Sequence, residues 1–400
     1  MKRFSFYLIC VLLITLAGVS CSRRNNSAVI GRNHQFSMEI GKMEDQIDLI
    51  QLPGTPFSQS VDIEMKNGLF YISNGAAKKI MEFSSYGDLL TLYYNAQVNP
   101  QPVLLSEETE DGLVSNRSAY KYPFIDVGEI AVADSGMLYV QDVLAEDRRI
   151  WDEELGTQLR NVILRFSQEG KLLDYIGQGG ISGIPFPYID SIKIGDTGTL
   201  TVICRTISDW IIYSYDRLGE LRYRYSFTEA DLPKAEEGVI ISVERVLAGW
   251  EADTVYVKTD YYVSETEGAD YGFSRSAIHW IDTASGAIEG TVSLPPAYRT
   301  TGKAQLFNRE EEEVVQYLIG TCEGGVLFLL STAAEDLYNL QIVDTTGMVV
   351  HKGLLELEDS ETIFRKFYVT PGGILTALIG GNTEADVVLW RTDRFINGEI

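Results

Sequence analysis

The chain has 400 residues, 45% of them apolar and 22% charged, with a formal net charge of -24. That balance excludes intrinsic disorder, and the length is ample for one large core. So acidic a surface repels phosphate backbones at long range, which argues against nucleic acid as a partner and otherwise serves solubility. Twenty-two Tyr and sixteen Phe suit a sheet-rich fold, because aromatic rings pack well on pleated surfaces.

In chain order, Lys2-Arg3 is followed by an uncharged apolar run from Phe4 to Val19. This is the pattern of a signal peptide over 1–20, and the run is a little short for a stable membrane span. Gly18-Val19-Ser20-Cys21 resembles a bacterial lipobox, although a bulkier aliphatic residue is more usual where Gly18 stands. The resemblance implies that the Cys21 thiol takes a diacylglycerol and becomes the first mature residue, anchoring the protein by acyl chains. Residues 21–34 then form a polar tether. The inner or outer membrane would hold it, with the rest facing the periplasm or the cell surface. Of the other cysteines, Cys10 lies in the discarded signal. Cys204 and Cys322 lie in expected strands of different blades and are read as two buried thiols, with one disulfide as the alternative.

From residue 35 to 400 a single domain is expected, made of short β-branched and aromatic runs between glycine turns of hairpin length. Phe83-Ser84-Ser85-Tyr86-Gly87-Asp88-Leu89 has the pattern of Phe166-Ser167-Gln168-Glu169-Gly170-Lys171-Leu172. The same turn returns over 215–221 with Gly219 and over 343–349 with Gly347, and one residue longer over 281–288 with Gly286. Five turns mark five blades, and a sixth runs from Phe364 to Trp390. The fold expected is all-β, a six-bladed β-propeller of four-stranded antiparallel blades near 57–95, 124–177, 188–228, 239–295, 314–357 and 362–396. The last blade lacks its outer strand. Phe36-Ser37-Met38-Glu39-Ile40, within 35–41, alternates apolar and polar residues and is expected to supply it, which removes an open edge. Asp48-Leu49-Ile50-Gln51-Leu52 is a second candidate. Three insertions stand out: 95–123, 143–160, which reads as a short charged helix, and 261–276.

Ile130-Ala131-Val132 through Asp142, with Leu164-Arg165-Phe166 and the Gly170 turn, resembles an NHL-type repeat. Gly177-Gln178-Gly179-Gly180 leading to Phe186-Pro187-Tyr188-Ile189 is similar to the linker between such repeats. Together with the lipobox, the whole resembles β-propeller lipoproteins of double-membraned bacteria, including a spirochaete-type family. The resemblance implies a ring for binding or scaffolding outside the cytoplasm, without a common chemistry.

No catalytic constellation is legible. His34 belongs to the tether, and His279 and His351 lie in strands as packed or surface side chains. No spacing fits a metal site, and no Gly-x-Ser-x-Gly elbow occurs. Asp62, Asp126, Asp142 and Asp190 fall near strand ends, where propellers place catalytic or metal-binding carboxylates. Glu310-Glu311-Glu312-Glu313 reads as a solvated loop. The candidate binding residues are Arg148, Arg149 and Trp151 on one insertion, Arg205 and Trp210 bracketing a hairpin, and Tyr261 and Tyr262 at a strand end, because Arg, Trp and Tyr anchor interfaces. The function expected is a non-enzymatic, monomeric binding or scaffolding module for a protein, peptide or glycan partner, with no cofactor. Two alternatives stand beside it: a propeller hydrolase or lyase using channel-mouth carboxylates with Ca2+, and an accessory in outer-membrane protein assembly.

Overall fold

The computed structural model describes residues 28–49, 60–105, 117–177, 183–233, 238–251, 253–264, 271–301, 310–360 and 362–399. Cys21, the segment 1–20 expected to be a signal peptide, 50–52 and 178–180 lie outside them. The described strands form six blades of antiparallel sheet. The first strands of the blades are Val61–Lys66, Ile130–Val132, Tyr188–Ile194, Val239–Ala248, Tyr317–Cys322 and Phe364–Val369. Each touches its two neighbours in a closed cycle around a central channel. This is the expected six-bladed ring.

Its closure is also as expected. Asn33–Glu39 pairs antiparallel with Glu384–Trp390, setting Asn33 opposite Leu389 and Phe36 opposite Val387. Of the second candidate for this role, 48–52, only Asp48 and Leu49 are described, and the Asp48 backbone exchanges two hydrogen bonds with the Asn74 side chain.

Side-chain volume holds the ring together. Six apolar clusters fill the six gaps between neighbouring blades. Because a blade is covered on both faces, its middle strands are largely buried, polar positions included; Asn161–Phe166 is buried at every position. Outer strands alternate instead, as Leu221–Phe227 does. The repeated turns owe their shape to glycine. Gly87, Gly170, Gly219, Gly286 and Gly347 have φ of 83°, 74°, 86°, 73° and 83°, a region that costs a side chain. An acid or hydroxyl three places earlier steadies four of these turns: Ser84, Ser167, Asp216 and Asp344 each accept at least one backbone N–H from the turn.

Three expectations change. The insertion 143–160 is not an α-helix: after one 3-10 turn, Glu146–Arg148, it folds as a small hairpin of Ile150–Asp152 with Thr157–Leu159. Ile150 and Trp151 favour strand, and Gly156 at φ 58° makes the turn, so local β geometry beats the charge spacing. The acidic run is no loop, since Glu310–Val314 pairs with Ala297–Thr301 and Arg299 neutralises Glu312 at 2.7 Å. The insertion after blade 1 gives that blade a fifth strand, Ser118–Lys121, lying parallel to Leu89–Tyr94. Its Tyr120 ring covers the Gly170 turn of blade 2 so closely that a Cβ there would lie 2.1 Å from it.

Candidate functional site: the loop face and the central channel

In every blade the first strand starts at one face of the ring, and the connection from second to third strand returns to that same face. Antiparallel pairing alone dictates this. The described parts of the connections 144–160, 177–187, 228–238 and 294–316 therefore all open on one side, while the opposite side carries tight turns. Long loops on a rigid scaffold are where binding usually resides.

Six of the seven candidate binding residues sit at or near this face; the sequence spacing could not have shown that they share it. Trp151 is 57% exposed, and Arg148 beside it donates to the Tyr175 hydroxyl at 2.9 Å. Arg149 is half-buried and donates to Leu144 O at 3.0 Å. Arg205 and Trp210 are paired across their hairpin, the guanidinium 5.1 Å from the ring centre. Trp210 itself is buried, so only Arg205 is exposed to a partner. Tyr262 is half-buried against Phe273. Tyr261 does not end its strand, which runs on to Ser264, and it is buried under Arg275 at 3.7 Å. The pleat turns it inward, toward His279, and away from any partner. The same face adds apolar side chains that the sequence did not single out: Ile184 at 64%, Tyr188 at 60% and Ile207 at 98% exposure, all on blade 3 or the connection leading to it.

The channel opens between these loops and encloses about 700 Å3, counting solvent at its mouth. Alternate residues of the first strands point into it, making two tiers. Nearer the loop face are Asp62, Glu129, Ser191, Arg245, Ile319 and Lys366; beneath them are Glu64, Lys193, Leu247, Thr321 and Tyr368. In the upper tier the Lys366 ammonium lies 2.8 Å from Glu129 and 3.2 Å from Asp62. Asp62 also accepts the Ile63 and Ile130 N–H groups, at 2.9 and 3.0 Å. In the lower tier Glu64 accepts the Val132 N–H at 3.1 Å and the Tyr368 hydroxyl at 3.4 Å. Lys193 donates to Ala248 O and Thr321 Oγ1, both at 3.1 Å, and rests 4.0 Å over the Trp250 ring. Trp250 is fixed in turn by its indole N–H on Thr321 O at 2.8 Å.

Burial dominates the protonation of this channel. It pushes the Glu64 carboxyl up to about 8, against the pull of the Val132 N–H. It raises Glu129 to about 7, with help from the neighbouring Asp62 charge and opposition from Lys366. It lowers the Lys193 ammonium to about 7. Burial also works against Lys366, but Asp62 and Glu129 outweigh it and hold that ammonium above its ordinary value.

Of the four strand-end aspartates, only Asp62 lines the channel. Asp142 is spent on structure, accepting N–H groups of Ile125, Asp126 and Val143. Asp126 is exposed beside it, and Asp190 leaves one carboxylate oxygen buried without a partner. Among the described residues no group of three or more His, Cys, Asp or Glu side chains is placed to hold a metal ion. Calcium takes six to eight oxygens; here the Lys366 ammonium already stands between Asp62 and Glu129, so the upper tier does not fit that ion. His279 is fully enclosed, bonded to Thr259, Tyr261 and Thr291 at 3.1, 3.2 and 2.8 Å. His351 stacks on Phe395 at 3.6 Å. Cys204 and Cys322 are separate buried thiols. Sequence reasoning missed Glu64, Glu129, Lys193, Arg245 and Lys366. Their signal was present as charged residues two apart in first strands, as in Asp62-Ile63-Glu64, but the same alternation marks any half-exposed strand.

No family model matches this sequence, and a search of curated proteins finds no match. Among solved structures, the ring is similar to a member of the DUF4221 family from Bacteroides vulgatus, with 8% identity, 91% of this chain and 99% of that one covered, and a TM-score of 0.41. It is also similar to a calcium-binding protein, regucalcin, from Agrobacterium tumefaciens, with 10% identity, coverage of 90% and 94%, and a TM-score of 0.39. A third similarity is to an acylaminoacyl peptidase from Pyrococcus horikoshii, with 12% identity and a TM-score of 0.34. There 63% of this chain is covered, and the chain spans about 42% of that protein's length.

Proposed function

We propose that this chain is an exported cell-envelope lipoprotein, acylated at Cys21, whose NHL-like propeller is a monomeric binding module for a protein or peptide partner. The lipobox-like Gly18-Val19-Ser20-Cys21 behind an apolar run supports the address. One observation carries the binding role: Trp151, Ile184, Tyr188 and Ile207 stand exposed on the loop face of blades 2 and 3. Water-exposed apolar side chains gathered on one face mark an interaction site. Arg148 and Arg205 flank them on a protein of net charge -24, so the partner surface has apolar anchors with acidic neighbours.

The test is co-purification from the native envelope with full-length chain, wild type against a Trp151→Ala, Ile207→Ser double variant. One defined protein that copurifies with wild type and is lost with the variant supports the reading. Equal recovery with both chains, or none with either, refutes it. Fatty-acid labelling that persists in Cys21→Ala would refute the anchor separately.

A second reading, a hydrolase or lyase working in the channel, is supported by the raised Glu64 and Glu129 carboxyls, since perturbed protonation clusters at reactive sites. Both carboxyls are already engaged, Glu129 by Lys366 and Glu64 by Tyr368 and a backbone N–H, so neither is free to take a proton from a substrate without first releasing a partner.

A further inference from the structure

We propose that the central channel binds a small organic carboxylate, admitted from the loop face and gripped by Arg245, whatever docks on the loops around it.

The argument is an inventory of charges. Every channel carboxylate has partners: Asp62 and Glu129 share Lys366, and Glu64 takes the Tyr368 hydroxyl and the Val132 N–H. The cations are not matched in the same way. Arg245 projects into the upper tier, only partly exposed, and makes no hydrogen bond or ion pair among the described residues; its Nε is buried without an acceptor. Lys193 has two neutral acceptors, Ala248 O and Thr321 Oγ1, and no carboxylate. An ammonium has three donors, so one remains. Burial already lowers the Lys193 ammonium to about 7, so Arg245 is the channel cation left without a contact ion pair or hydrogen bond among the described residues. The nearby Glu129 charge acts on this half-buried guanidinium only at a distance, so its donors, the buried Nε among them, are unmet, and a ligand anion supplies the missing acceptors.

The lining narrows the ligand class. A guanidinium presents a planar fork that matches a carboxylate with two parallel hydrogen bonds. Leu247, Ile319 and the Trp250 ring offer apolar walls for an organic body, and Ser191 and Thr321 offer hydroxyls. A doubly charged phosphate fits less well, because Asp62 and Glu129 stand in the same tier as Arg245.

The test is calorimetric titration of full-length protein with benzoate, hexanoate, succinate and inorganic phosphate, for wild type and Arg245→Gln. At least one carboxylate should bind wild type, and its affinity should fall about tenfold or more in Arg245→Gln, the scale of a lost charge-assisted pair. The melting temperature of the ligand-free variant should stay close to that of wild type, because the guanidinium removed makes no hydrogen bond or contact ion pair among the described residues; this separates loss of a ligand contact from loss of the fold. Binding of none of the three carboxylates by wild type, or equal affinity in the variant, overturns the proposal. Phosphate binding more tightly than every carboxylate overturns the ligand class.

Discussion

The ammonium of Lys366 lies 2.8 and 3.0 Å from the two oxygens of Glu129, although 237 positions separate them. Lys366 belongs to blade 6 and Glu129 to the start of blade 2, so the pair spans blade 1, whose Asp62 joins it at 3.2 Å. Three blades are thus tied on the channel side, at the seam where the head of the domain meets its tail.

That relationship sets the first prediction. Lys366→Met leaves two largely buried carboxylates without their cation and should cost about 3 kcal/mol, the scale of a broken buried pair. Urea unfolding at neutral pH measures it, and adding Glu129→Gln should recover part of the loss. A change below about 1 kcal/mol would mean that solvent already screens the pair.

The ring closure is tested at Phe36. It is 6% exposed and packs against Phe70 at 5.6 Å and Phe83 at 5.1 Å, so one strand stitches blade 6 to blade 1. Phe36→Ala should destabilise by about 3–5 kcal/mol, the range for emptying a core aromatic site. Amide exchange should accelerate first in Glu384–Trp390, the strand that loses its neighbour. Exchange that rises evenly around the ring would show that closure does not depend on this strand.

His279 predicts a pH dependence. Burial first, then the Arg275 charge, lowers its pKa from 6.5 to about 4. The folded state therefore favours the neutral ring. Its contribution is fully present above pH 6.5 and is lost as pH falls toward 4, a loss on the order of 3 kcal/mol. His279→Gln, which can still bond Thr259 and Thr291, should flatten the stability profile of wild type over that window. Parallel profiles for the two chains would contradict the assignment.

Thiol chemistry gives a fourth. Cys204 and Cys322 are 0% and 2% exposed, and burial raises both, Cys322 to about 12. With Cys10 and Cys21 replaced by Ser, the native chain should react with an aromatic disulfide only at its unfolding rate, and two thiols should titrate in denaturant. Rapid labelling of either in native buffer would contradict the burial.

Much of the architecture was legible because it is repetitive. The Gly87, Gly170, Gly219, Gly286 and Gly347 turns each need a positive φ that few residues tolerate, so the chain punctuates its own hairpins. The alternation around Phe36 identified the closing strand, because an unpaired outer edge on blade 6 left one place for it. Local signals failed where two periodicities competed. Glu153 and Glu154 near Arg148 and Arg149 suggested helix, whereas Ile150-Trp151 preferred a strand once Thr157–Leu159 could pair with it.

By itself, then, the amino-acid order determined the class of fold, the number of blades and the partner of the first strand, since each follows from backbone geometry repeated along the chain. Only the tertiary structure decided which charges meet. Glu64, Glu129, Lys193, Arg245 and Lys366 come from five different blades, and no spacing along the chain encodes that they face one channel. Their protonation and pairing depend on burial and on distances across the ring, quantities that come into being only when it closes.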